Sequence, residues 1–156
     1  MMANYTKHLL SRRFLAFLFL FLLLVLPGCE GARDRIALLG EKRAIEEAAG
    51  RYLEAEVKQD YGAVYESLGP SSVYRKGNTY DQYLEQAKGA PGRLLGYKIL
   101  RISRLTENHD RRSYPGIDKF VRVEVEVIFE QTDSKQRTEA NYDYTFIKEG
   151  GKWYKG

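Results

Sequence analysis

Few side chains in this sequence have types and spacings that could do chemistry. Cys29 is the only cysteine, so it can form no disulfide within the chain. Of the two histidines, His8 lies in an apolar leader and His109 in a polar loop. A lone loop histidine is expected to be solvated, so neither a metal site nor a histidine-based dyad is expected. No nucleophile elbow, phosphate-binding loop or Cys-His pair is present. The acids fall mostly where periodicity makes them wet: Glu124 and Glu126 alternate with valines, Asn141 and Asp143 oppose a tyrosine face, and Asp60 reads as a helix cap. No catalytic residue, metal or cofactor is therefore assigned.

Tyrosine is the one residue type in functional excess. Eleven of the 12 follow the leader. Tyr52, Tyr65 and Tyr83 sit on helical apolar stripes, and Tyr142 and Tyr144 share one face of a strand. Converging, these five would make an apolar pocket with hydroxyl handles for a flat or hydrophobic ligand. The same rings would equally fill a core beneath a sheet that favours aromatics. Arg101, Arg104, Arg111 and Arg112 would contact anions or be solvated.

The leader explains most of the net charge. Over 156 residues, 25 basic side chains stand against 21 acidic ones, a net of +4. Residues 1–28 hold Lys7, Arg12 and Arg13 and no acid, which leaves 22 basic against 21 acidic in the remainder. The basic balance thus argues for no nucleic-acid partner. Phe14 to Leu26 is an unbroken run of 13 apolar residues. That is shorter than the ~20 needed to span a bilayer and suits the core of a signal peptide. The four residues that follow, Leu26-Pro27-Gly28-Cys29, resemble the lipobox of bacterial lipoproteins. The resemblance implies a diacylglyceryl group on the Cys29 sulfur and cleavage before Cys29, with palmitate among the expected acyl chains. Ser11-Arg12-Arg13-Phe14-Leu15 also hints at twin-arginine export, but so apolar a core suits the general secretory route. Two or more acyl chains hold a protein stably at a membrane. The expected location is the bacterial cell envelope, and Glu30 after the cysteine favours the outer membrane where there are two.

The rest of the chain, with 44% apolar and 29% charged residues overall, has an ordinary globular composition. Residues 30–35 read as a polar spacer. Ile45, Ala48, Ala49, Tyr52, Leu53 and Val57 recur at helical spacing between about Ile36 and Gln59, with Gly40 and Gly50 weakening the helix locally. Asp60 caps a second helix from Tyr61 to Leu68, stopped by Gly69-Pro70. Thr79 and Gln82 form a capping box that opens a third helix to Lys88, closed by Gly89. The period then changes from 3.6 to 2. A strand is predicted over 95–105 and a polar loop over 106–117. Val121, Val123, Val125, Val127 and Phe129 form the buried face of the next strand. A turn at 132–135 leads to a strand over 136–148, with Ala140, Tyr142, Tyr144 and Phe146 on one face, and a turn at 149–151 leads to Lys152–Lys155. The expected division is a signal peptide over 1–28, lipidated Cys29 and tether over 29–41, and one domain over 42–156.

Helices followed by a strand meander indicate an α+β fold. Ala49-x-x-Tyr52-Leu53-x-Ala55, Asp60-Tyr61-x-Ala63-Val64-Tyr65-x-x-Leu68, Thr79-x-x-x-Tyr83 and Glu149-Gly-Gly-Lys-Trp153 together resemble the nuclear transport factor two-like (SnoaL-like, cystatin-like) superfamily over about 42–155. The resemblance implies N-terminal helices packed on a curved antiparallel β-sheet, enclosing a cone-shaped cavity. Members usually run on past the Gly-Lys-Trp turn, so a short last strand is expected here. The fold hosts isomerases, cyclases, transport factors and scaffolds and does not fix the chemistry. The leading expectation is a non-enzymatic, membrane-tethered module that binds a small apolar ligand or an envelope protein. The alternatives are a cyclase or isomerase with an acid or a histidine inside the cone, and a structural subunit of an envelope assembly. The sheet is the expected face for a homodimer or partner.

Overall fold

Ile45, Ala48, Ala49 and Leu53 lie buried along one face of the first helix, α1 (Cys29–Lys58), in the computed structural model of the protein. The structure describes residues 29–156 in backbone and 36–156 in side chains. The expected signal peptide (1–28), the lipobox and the Cys29 side chain lie outside the described residues. Ala37–Gly156 forms one compact unit. The expected polar spacer at 30–35 is helical backbone instead, and the boundary expected at residue 42 falls inside α1. Polar composition signals exposure, not the absence of a helix, and no proline interrupts 30–58. Among the described residues, no helix is long and apolar enough to cross a membrane.

Gly50 costs α1 about 1 kcal/mol relative to alanine. Burying Ile45 and Leu53 returns about 2 kcal/mol each, so packing decides. Gly50 also admits Tyr97, whose hydroxyl donates to the Gly50 carbonyl at 3.5 Å. Glu54 pairs with Lys58 at 2.7 Å and Glu47 with Arg43 at 3.0 Å, each across one helical turn.

Two helices follow as the sequence predicts. The Asp60 carboxylate caps α2 (Tyr61–Ser67) by accepting the Ala63 N–H at 3.1 Å. A short helix that has no apolar period, α3 (Val73–Gly77), is capped by Ser72. The third predicted helix is α4 (Tyr80–Lys88), and both arms of its capping box are made: Thr79 N–H to Gln82 Oε1 at 2.8 Å, and Gln82 N–H to Thr79 Oγ1 at 3.4 Å.

Four antiparallel strands then form one curved sheet in chain order: β1 (Gly92–Glu107), β2 (Ile117–Gln131), β3 (Arg137–Glu149) and β4 (Lys152–Lys155). The fold is α+β, helices first and a meander after. The valine alternation of β2 is realised in full, with Val121, Val123, Val125 and Val127 at most 2% exposed. Their partners across the β2–β3 ladder are Phe146, Tyr144, Tyr142 and Ala140, so both predicted faces point the same way.

Strand β1 does not alternate. Its inward residues are Leu94, Tyr97, Ile99, Ile102 and Leu105, spaced three, two, three and three apart. Each interval of three contains a break in the pairing register with β2, between Leu94 and Gly96, Ile99 and Arg101, and Ser103 and Thr106. An extra residue at each bulge returns the next apolar side chain to the inner face and bends the strand. At the third bulge Arg104 takes the left-handed conformation, φ +54°.

The core joins the inner face of this sheet to α1 through Leu53, Val123, Phe146 and Trp153. The outer face is charged: Arg101 pairs with Glu124 at 2.8 Å, Arg122 with Asp143 at 3.2 Å, and Glu130 with Arg93 and Arg137 at 3.0 and 3.3 Å. The short β4 gains a neighbour on its far side, a parallel bridge from Leu68 to Lys155.

Candidate functional site

Beyond Leu53 the inner face of α1 turns polar. Tyr52, Glu56 and Gln59 follow at i, i+4 and i+7, so they share one side of the helix. That side does not close on the sheet. It borders a cavity of about 570 Å³, roofed by α2 and α4 and floored by the inner faces of β1 to β3.

Four of the five tyrosines singled out in the sequence line this cavity: Tyr52, Tyr83, Tyr142 and Tyr144. The ring centroids of Tyr52 and Tyr144 are 6.0 Å apart and those of Tyr142 and Tyr144 are 6.4 Å apart, so three rings form a continuous tilted surface. Tyr142 is 55% exposed and stands at the rim. The fifth, Tyr65, is not a lining residue. Its ring packs against Tyr83 at 5.6 Å and under Arg75 at 5.1 Å, and its hydroxyl donates to the Asn78 carbonyl at 3.0 Å. Tyr65 therefore shares the apolar stripe of α2 but supports the cavity from behind.

Periodicity left other lining residues unassigned. Tyr61, Tyr74 and Phe129 add aromatic surface. Two ionisable groups matter more. Glu56 lines the cavity and is an exception to the expectation that the chain's acids are mostly wet. Its position one turn beyond Tyr52 was the available signal. Lys155 also lines the cavity. It lies two residues beyond buried Trp153, hence on the same face of β4.

Burial strips water from Glu56 and raises its carboxyl pKa, and the Tyr52 hydroxyl and the Lys155 charge offset only part of that rise. Burial likewise lowers the Lys155 ammonium, with Glu56 opposing the change. Desolvation thus pushes both groups toward their neutral forms. Tyr52, Tyr83 and Tyr144 are raised by burial first and by the Glu56 charge second. They remain phenols, able to donate hydrogen bonds, across the physiological range. The Lys155 ammonium lies 5.8 Å from the Tyr144 ring centroid. The site can enclose a flat apolar body, donate to an oxygen on it, and exchange a proton.

The other candidates lie elsewhere. His109 is exposed in the β1–β2 loop. Arg101 is neutralised by Glu124 and Arg111 lies 3.8 Å from Asp118, while Arg104 and Arg112 are exposed. Among the described residues, no group of histidine, cysteine and carboxylate side chains could hold a metal ion.

No family model matches the sequence, and no curated protein matches it. Among solved structures the chain is similar to a ketosteroid isomerase-like protein from Erwinia carotovora atroseptica SCRI1043. The likeness covers 74% of this chain and 90% of that one, at 20% identity and a TM-score of 0.47. No residue role passes from one chain to the other at that identity.

Proposed function

We propose that the cavity binds one small, flat, largely apolar molecule carrying a polar group, and that lipid on Cys29 holds the domain at the cell envelope. The observation that carries the reading is the aromatic lining of a cavity of about 570 Å³, within the range of small-molecule pockets. The phenolic hydroxyls and Glu56 are the groups that would orient the ligand's polar end.

Thermal shift tests the binding. Flat aromatic probes should raise the melting temperature by mass action. Tyr52→Ala or Tyr144→Ala should reduce that shift by more than it lowers the melting temperature of the free protein. A screen that yields no stabilising probe refutes the reading. The anchor is tested separately: wild type should incorporate labelled palmitate and Cys29→Ser should not, and an unlabelled wild type refutes lipidation.

One observation favours a second reading, proton-transfer catalysis of the cyclase or isomerase type. It is the desolvated Glu56 carboxyl inside the cavity, whose pKa burial raises and which is a candidate general acid or base. Under that reading Glu56→Gln abolishes turnover and lowers the probe-induced thermal shift by less than Tyr52→Ala does.

A further inference from the structure

The described lysines fall into three groups. Lys42, Lys58, Lys119 and Lys148 each sit in an ion pair. Lys76, Lys88, Lys98, Lys135 and Lys152 are exposed. Lys155 belongs to neither: it is half-buried, it lines the cavity, and among the described residues it makes no salt bridge. Its ammonium donates to the Gly156 carbonyl and faces the Tyr144 ring. Burial has removed water from this amine, and a Gly156 oxygen, the Tyr144 ring face and the more distant Glu56 stand in its place.

We propose that Lys155 is a carbonyl-capturing amine, which forms an imine with a flat aldehyde or ketone seated against the tyrosines while Glu56 handles the protons. The inference rests on the cavity being a ligand site and names the class of ligand it takes. The Nζ lone pair attacks the carbonyl carbon. As the C–N bond forms, the C=O π pair moves to oxygen, which takes a proton from the Glu56 carboxylic acid. Glu56, now a carboxylate, accepts a proton from the nitrogen. It returns that proton to the hydroxyl, which leaves as water while the nitrogen lone pair closes the C=N bond. The carboxylate then takes the remaining proton from the iminium nitrogen and is a carboxylic acid again. No redox partner is needed, and the sum is amine plus carbonyl giving imine plus water. The two groups suit these roles because both line the same cavity, where burial works against the charged form of each. The phenols add hydrogen-bond donors for the carbonyl oxygen.

The test uses full-length protein in detergent with naphthaldehyde, followed by borohydride to reduce any imine to a stable secondary amine, and peptide mapping. Naphthalenemethanol, of the same shape but unable to condense, reports on binding alone. The expected result is a thermal shift with the alcohol and a label on Lys155 exceeding that on exposed Lys152 by about tenfold or more. Lys155→Arg removes this label, Lys152→Arg leaves it unchanged, and Glu56→Gln slows its appearance without removing the thermal shift. If the alcohol binds but labelling follows exposure across all lysines, or persists undiminished elsewhere in Lys155→Arg, the imine is overturned and the binding site stands. If the alcohol gives no shift and Lys155 no preferential label, both are overturned.

Discussion

Glu41 and Trp153 meet across 112 residues of chain: the indole Nε1–H donates to Glu41 Oε2 at 3.0 Å. The other carboxylate oxygen receives Lys148 Nζ at 2.6 Å and lies 3.4 Å from Lys119 Nζ. One side chain of α1 therefore pins β2, β3 and β4. Glu41→Gln should cost about 1–3 kcal/mol, the range for losing hydrogen bonds to a charged group and leaving its partners unpaired. Burial works to raise the Glu41 pKa, but Lys148, Trp153 and Lys119 together outweigh it, and the net shift is downward from 4.5. The stability Glu41 contributes is accordingly full above pH 4.5 and lost as pH falls through the lowered folded value. Urea unfolding midpoints should show a steeper acid decline in wild type than in the variant.

Glu56 has the opposite sign. Its folded pKa lies above 4.5, so the native state binds the proton more tightly than the unfolded chain. Its contribution to stability falls as pH rises from 4.5 through the folded value and is level beyond it. Glu56→Gln should therefore melt at a higher temperature than wild type at neutral pH, with the advantage vanishing toward pH 4. A Gln variant less stable than wild type at neutral pH would show that the carboxylate is better solvated in the cavity than its burial implies.

Two glycines predict opposite outcomes. A methyl at Gly40 meets nothing within 4 Å, so Gly40→Ala should stabilise α1 by about 1 kcal/mol. A methyl at Gly92 would overlap the Phe129 ring and stand 2.5 Å from the Glu130 carbonyl. Gly92→Ala should destabilise by about 1–3 kcal/mol, the usual cost of overpacking, and, by displacing Phe129, should weaken any probe bound in the cavity.

Val125 is fully buried at the centre of β2. Val125→Asp should cost about 3 kcal/mol or more, because it places an unpaired charge among Val123, Val127 and Tyr142. Glu124→Lys, on the outer face, loses the ion pair with Arg101 and sets two cations opposite each other. Its expected cost is about 1 kcal/mol. Chemical denaturation of the two variants measures the sheet register directly.

The sequence disclosed what rests on local physics. Asp60, Thr79 and Gln82 announce helix starts because their side chains bond the nearest free N–H groups. Val121 to Val127 announce a half-buried strand because a pleat has period two. The bulges of β1 escaped notice because they depend on pairing with β2, and without the partner strand the spacing of Leu94, Tyr97, Ile99 and Ile102 fits neither period. Four tyrosines of the cavity were legible as apolar positions, but whether their rings would fill the space or border it depends on how far α4 stands from the sheet. Glu56 and Glu41 were missed for one reason. A charged residue beside an apolar stripe reads as solvent-facing until a partner from a distant strand is seen to reach it.

The three register breaks in β1 have a bearing on association between molecules. This strand is 16 residues long and forms one edge of the sheet. An edge of that length in regular extended form would offer a continuous row of free N–H and C=O groups to a strand from another chain. A misfolded neighbour could add to it and begin an aggregate. The bulges divide the row into short stretches that no regular strand can follow in register. Lys98 and Arg104 project from it as exposed side chains, and like charges on a second copy of the same edge would repel them. The distortions that curve the sheet around its cavity thus also protect the protein from self-templating growth.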